Sequence, residues 1–189
     1  PYTTLFRSLS AVAVGNLGHL PIVEGLGLEV RGDFGLNVFN SRALAFLREL
    51  GLASATVSFE LRHQQVRDLA KLLPCEGIVY GRLPLMVMEN CITKNNVGCR
   101  HGAGSTLTDR TGAQFPVQCV YGCRNEIENS LPLFLADKAE WRGCGLTSAR
   151  LRFTTETADE CAAILRRYRG EGDYAPEKYT RGLFYRGVE

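Results

Sequence analysis

The sequence predicts an α/β protein built as part of a TIM-like (β/α) barrel, followed by a cysteine-bearing loop region and a turn-rich C-terminal tail. Three observations lead there. Short β-branched or apolar runs alternate with segments of helical period between residues 9 and 88, which is the pattern of βα units on a parallel sheet. Each run ends on a polar residue: Asn16, Asn40, Glu60 and Glu89. The C-terminal strand ends are where a barrel of this kind keeps its chemistry. After Cys91 the texture changes to a polar, glycine-rich stretch without helical period.

In order, Leu9–Val14 reads as a buried strand closed by Gly15-Asn16, and His19–Gly25 as a short helix with Pro21 in its first turn. Leu26–Val30 and Leu36–Phe39 read as strands. Ser41 is expected to cap a helix whose apolar positions are Ala43, Leu44, Phe46, Leu47 and Leu50, stopped by Gly51. Ala53–Phe59 is a further strand, and Gln64–Leu73 an amphipathic helix ended by Pro74. Ile78–Tyr80 and Leu85–Met88 are short strands, and Leu107–Gly112 a hairpin turn leading into Phe115–Val117. Asn129–Leu135 and Leu151–Phe153 return to strands. Thr154 or Thr155 caps a last helix using Ala158, Cys161, Ala162, Ile164 and Leu165. About four βα units are visible, fewer than a closed barrel requires. Pro1–Ser8 reads as a translated adapter sequence, so residues 9–189 are expected to be the C-terminal part of one domain whose N-terminal strands are missing.

A length of 189 residues with 45% hydrophobic and 22% charged residues describes a globular chain, and a net charge of +2 is too small to imply nucleic-acid binding by itself. No apolar run reaches the ~20 residues of a membrane span, and no secretory signal is visible. The expectation is a cytoplasmic protein with reduced thiols and no membrane partner.

Four of the seven cysteines form the main candidate site, spaced Cys91-x7-Cys99-x19-Cys119-x3-Cys123. Structural zinc sites favour two short pairs, and only the second pair here is short, so zinc is the alternative rather than the first choice. An iron–sulfur cluster tolerates wide, irregular spacing. Cys144, between two glycines, is a reserve ligand, while Cys75 and Cys161 read as structural thiols. Glu60 and Glu89, at strand ends, are the candidate acid–base residues. His19, His63 and His101 are isolated, and no H-E-x-x-H motif is present.

One ordered string of motifs covers nearly everything from about residue 10 to 188. The motifs run Leu36-Asn37-Val38-Phe39-Asn40-Ser41, Ser58-Phe59-Glu60-Leu61, Tyr80-Gly81-Arg82-Leu83-Pro84-Leu85-Met86-Val87-Met88-Glu89-Asn90-Cys91 and Leu107-Thr108-Asp109-Arg110. They continue with Phe115-Pro116-Val117, Cys123-Arg124, Ile127-Glu128-Asn129-Ser130-Leu131-Pro132-Leu133, Arg150 to Thr157 and Thr180 to Val188. This string resembles the C-terminal half of the U32 peptidase family, the collagenase-like proteins, particularly its bacterial branch with a further domain beyond the barrel. The resemblance implies a TIM-barrel-like core and a four-cysteine iron–sulfur site, of the 4Fe-4S kind, in members that hydroxylate RNA bases or assist ubiquinone hydroxylation. Cys91 and Cys123 match its pattern best, Cys99 follows, and Cys119 departs from it, which leaves room for Cys144. Three functions follow as expectations: hydroxylation of a base in transfer or ribosomal RNA, hydrolysis of peptide bonds as the family label says, and a non-catalytic metal-stabilised accessory role. Arg82, Lys94, Arg100, Arg110 and Arg124 supply the basic residues an RNA substrate would need.

Overall fold

The computed structural model describes residues 9–69, 71–98, 105–120 and 123–188. In chain order these form β1 (Ala11–Val14), α1 (Leu20–Val23), β2 (Glu29–Gly32), α2 (Ser41–Glu49), β3 (Ser54–Thr56), α3 (His63–Asp68), β4 (Cys75–Gly81) and β5 (Pro84–Met88). There follow α4 (Ile92–Val97), β6 (Ser105–Thr108), β7 (Gln114–Val120), β8 (Arg124–Glu128), β9 (Leu133–Phe134), β10 (Ser148–Arg152) and α5 (Ala158–Arg169). The chain divides into two compact units where the sequence reading had one domain. The first holds the described residues through Val79, then Leu135–Leu151 and the tail from Arg181. The second holds Tyr80–Phe134 and Arg152–Thr180.

The first unit is the expected βα arrangement. Its strands lie in the order β1-β2-β3-β4-β10, and β1 to β4 run parallel in the registers Val12↔Val30, Gly32↔Ala55 and Ala55↔Cys75. Alternation sorts the strand residues. Val14, Ala55, Val57 and Cys75 join Leu44 and Leu47 of α2 and Val66 of α3 in one apolar core. Thr56 and Glu76 point the other way, where Arg150 pairs with Asp33 and, at 2.6 Å, with Glu76, and Thr56 donates to Glu76 at 2.9 Å. One sheet face is thus packed by helices and the other is polar. The described residues contain no closed barrel.

Several boundaries differ from expectation for identifiable reasons. Asn40 rather than Ser41 caps α2, its Oδ1 accepting from the backbone N–H groups of Arg42 and Ala43, each at 3.0 Å. Helix α3 stops at Asp68 instead of Leu73, because Leu69 turns extended and the Lys71 ammonium donates to the carbonyls of Val66 and Arg67. Residues 36–39 form no strand; a 3-10 turn over Phe34–Leu36 leaves Val38 a single bridge to Val57. Thr157, not Thr154 or Thr155, caps α5 through a reciprocal box with Glu160, and Gly170 closes it in the left-handed region. The tail is tied back by Arg181, which forks onto Asp137 at 2.6 and 2.7 Å.

The second unit is a four-stranded antiparallel sheet in the order β5-β8-β7-β6, together with α5 and the end of β4 paired to β9. Strand β8, helix α4 and strand β6 were not expected from the sequence. The β6–β7 hairpin was, and Asp109 builds it by accepting from the Thr111 hydroxyl and the Thr111 and Ala113 amides. Those bonds, the Thr111 hydroxyl foremost, hold its carboxyl below the usual range. Gly81 is obligatory: at φ 119° a Cβ would lie 2.0 Å from the Arg152 carbonyl oxygen. Arg152 is clasped by Glu126 and, at 2.8 Å, by the fully buried Glu128.

Tyr80 centres an aromatic group with Phe153 and Tyr168, and its hydroxyl donates to Glu156 at 3.1 Å. Burial, reinforced by the nearby Glu156 carboxylate, drives its phenol far above the ordinary tyrosine value. A phenol that ionises less readily folded than unfolded destabilises the fold as pH rises past the unfolded value of about 10. Tyr80→Phe is therefore expected to flatten the alkaline loss of stability, read from urea midpoints between neutral and strongly alkaline pH. An unchanged alkaline slope would contradict this.

Candidate metal centre at one end of the antiparallel sheet

Three strand ends meet at one end of the β5-β8-β7-β6 sheet. Met88 near the end of β5 and Cys119 near the end of β7 both register with Asn125 near the start of β8. Cys91 follows β5 after Glu89 and Asn90, and Cys123 immediately precedes β8. Register and short connections therefore gather Cys91, Cys119 and Cys123 at one end of this sheet.

Asn125 ties Cys119 to Ile92, the residue after Cys91. It is completely buried; its Oδ1 accepts from Ile92 N at 2.8 Å, and its Nδ2 donates to Cys119 Sγ at 3.5 Å. Cys91 is buried too and caps α4, its Sγ accepting from Lys94 N at 3.3 Å. Each of the two sulfurs thus receives an N–H donor, the kind of outer hydrogen bond that orients a sulfur ligand. Cys123 is exposed. Cys99, together with Arg100 and His101, lies outside the described residues. Among the described residues no three His, Cys, Asp or Glu side chains already form a metal-holding group. The donor set present, thiols with N–H groups directed at sulfur, suits an iron–sulfur cluster or zinc.

The other candidates fall elsewhere. Cys144 is buried in the first unit, where its thiol donates to the carbonyls of His63 and Glu140. Cys75 lies in the same core, and burial pushes both thiols up, as inert structural cysteines require. Cys161 is half-buried on α5. Glu60 belongs to the first unit, and Glu89 to the second, where it pairs with Arg124 at 2.7 Å. Asn16 and Asn40 are spent as caps. His63 packs between Phe184 and Tyr185 with Nδ1 3.2 Å from the Phe184 carbonyl.

The basic residues divide. Lys94 and Arg124 stand exposed at the cysteine end, whereas Arg110 sits in the β6–β7 turn at the opposite end of β7. Arg82 is a structural clamp, donating to the carbonyls of Asn129 and Ser130 and to the Thr155 hydroxyl. Asn125 is the residue that sequence reasoning missed. Its one signal is the two-residue offset from Cys123, which means nothing until β7 and β8 are in register.

Comparison with family models, with curated proteins and with solved structures finds no match to this chain. Among the described residues no helix is long and apolar enough to cross a membrane.

Proposed function

We propose that the chain is part of an iron–sulfur protein of the U32 peptidase type, with Cys91, Cys119 and Cys123 as ligands and Cys99 as the fourth. The Asn125 bridge carries this reading, because it joins the Ile92 amide, next to Cys91, to the Cys119 sulfur at the same strand ends that bear Cys123. It favours Cys119 over Cys144, whose thiol is engaged by two carbonyls in the core of the first unit. The barrel part of the proposal draws support from the parallel strands, packed by helices on one face and polar on the other.

A bound cluster supplies one-electron chemistry. The protein's own contribution is to bury Cys91, to direct N–H groups at two sulfurs and to hold Lys94 and Arg124 beside them for an anionic substrate. That combination suits hydroxylation of a base in folded RNA. No specific observation favours peptide hydrolysis, since Glu60 and Glu89 lie in different units and Glu89 is engaged by Arg124.

Cys91→Ser is expected to abolish the visible thiolate-to-iron absorption of anaerobically reconstituted protein, while Cys75→Ser keeps it. Equal absorption in both variants would sink the ligand assignment. Reconstituted protein incubated with transfer or ribosomal RNA, dioxygen as the oxygen donor and a two-electron reductant should add the mass of one oxygen atom to a base, the second oxygen atom leaving as water. An iron-loaded protein that leaves every base unchanged would sink the RNA reading and leave the cluster standing.

A further inference from the structure

A cavity of about 230 Å³ lies wholly within the second unit, lined from the end of β4, the turn before α5 and the segment that follows α5. It is smaller than the ~300–1,000 Å³ of ordinary ligand pockets, so it has room for one small metabolite. Its wall is held before any ligand arrives. Tyr80 is 1% exposed, and its hydroxyl donates to Glu156 Oε1 at 3.1 Å. Glu156 Oε2 accepts from the Thr154 and Thr155 amides at 2.7 and 3.0 Å, so both oxygens of that carboxylate are engaged. Arg82 is anchored through Nε and Nη1. Other charges in the lining are open. Arg82 Nη2, the Lys178 ammonium and the Glu177 carboxylate have no partner among the described residues, and Glu160 uses only Oε2 in the Thr157 cap. Pro132, Pro176 and the Tyr174 ring add apolar surface to the same lining.

We propose that this cavity binds a free α-amino acid with an uncharged side chain. The ligand's carboxylate accepts from Arg82 Nη2 and Lys178, its ammonium donates to Glu177 and Glu160 Oε1, and its side chain lies against the prolines and the Tyr174 ring. Charge selects this occupant. A plain anion would leave Glu177 and Glu160 opposed by like charge, and a plain cation would do the same to Arg82 and Lys178. A neutral molecule would desolvate all four groups without pairing them. A zwitterion answers both signs within one small volume. A charged side chain would add a third charge with no counterpart, since Glu156 is already engaged. Because Tyr80, Glu156 and Arg82 are fixed in advance, binding adds little ordering cost. The site shares no residue with the cysteine end and does not depend on the metal reading.

Isothermal titration calorimetry of the chain under reducing conditions, with L-leucine and L-phenylalanine as probes, is expected to show saturable binding of one molecule per chain for at least one of them. Isocaproate and hydrocinnamate lack the ammonium, and isoamylamine and phenethylamine lack the carboxylate. Each should bind about tenfold more weakly or worse than its parent amino acid, as loss of a charged hydrogen-bond partner predicts. Lys178→Gln and Glu177→Gln, both at exposed positions, should each weaken the amino acid by a similar factor, and Lys94→Gln at the cysteine end should leave it unchanged. Should either cavity variant disturb the far-ultraviolet circular dichroism, the one-charge analogues on the unaltered chain decide alone. No saturable binding of either amino acid, equal binding by a one-charge analogue, or binding indifferent to both Lys178→Gln and Glu177→Gln would overturn the proposal.

Discussion

Asn125→Leu is expected to weaken metal binding by about ten- to a hundredfold while leaving every cysteine in place, the usual effect of removing an outer hydrogen-bond partner of a ligand. Leucine keeps the branched heavy-atom skeleton of asparagine, so the buried position stays filled. What disappears is the bond from Ile92 N and the donor to Cys119 Sγ. Loss of a buried amide's acceptor costs about 1–3 kcal/mol, so the cysteine end should also loosen in the metal-free protein. Chelator competition reads the affinity, and hydrogen exchange at the start of α4 reads the loosening. Unchanged affinity would mean that Asn125 packs the sheet without serving the thiols.

Arg152→Met is expected to cost about 3–5 kcal/mol of stability at neutral pH, because it leaves two carboxylates beside each other without their cation. Glu128 is fully buried and Glu126 partly so, and Arg152 contacts both. Burial already raises the Glu128 carboxyl against the opposing pull of Arg152, and removing the guanidinium raises it further. A carboxyl whose folded value lies above its unfolded one penalises the fold at pH above both values. That penalty fades as pH falls toward the unfolded value of about 4.3. The deficit of Arg152→Met should therefore shrink between neutral pH and pH of about 4. Adding Glu126→Gln and Glu128→Gln should recover much of it. Urea denaturation across that range checks both statements, and a deficit independent of pH would show that Arg152 matters for packing alone.

The parallel half of the fold was legible because its strands are apolar runs separated by helical periods, as at Ala55 and Val57 against Leu44 and Leu47. Strand β8 was not, because two of its buried positions are Asn125 and Glu128, polar residues whose burial depends on partners far along the chain. Helix α4 was hidden in the polar run after Cys91, where the capping group is the Cys91 sulfur rather than a hydroxyl or carboxylate. The early stop of α3 turns on Lys71, whose reach to two carbonyls is a tertiary detail.

The site followed a similar division. Cysteine spacing singled out Cys91, Cys99, Cys119 and Cys123, and strand register brings the three that are described to one end of one sheet, Cys99 lying outside the described residues. The reading of Arg110 as part of the same basic surface failed because its turn and Cys119 lie at opposite ends of the seven-residue β7. Spacing along the chain also could not separate Cys119 from Cys144. The structure places Cys144 in the core of the first unit and Cys119 beside Asn125.

The most direct test is the iron and acid-labile sulfide content of the chain after anaerobic reconstitution. The account predicts about four iron and four sulfide per chain, as a [4Fe–4S] cluster on four cysteines requires. Stoichiometric zinc without sulfide, or a colourless protein that takes up neither metal, would contradict it.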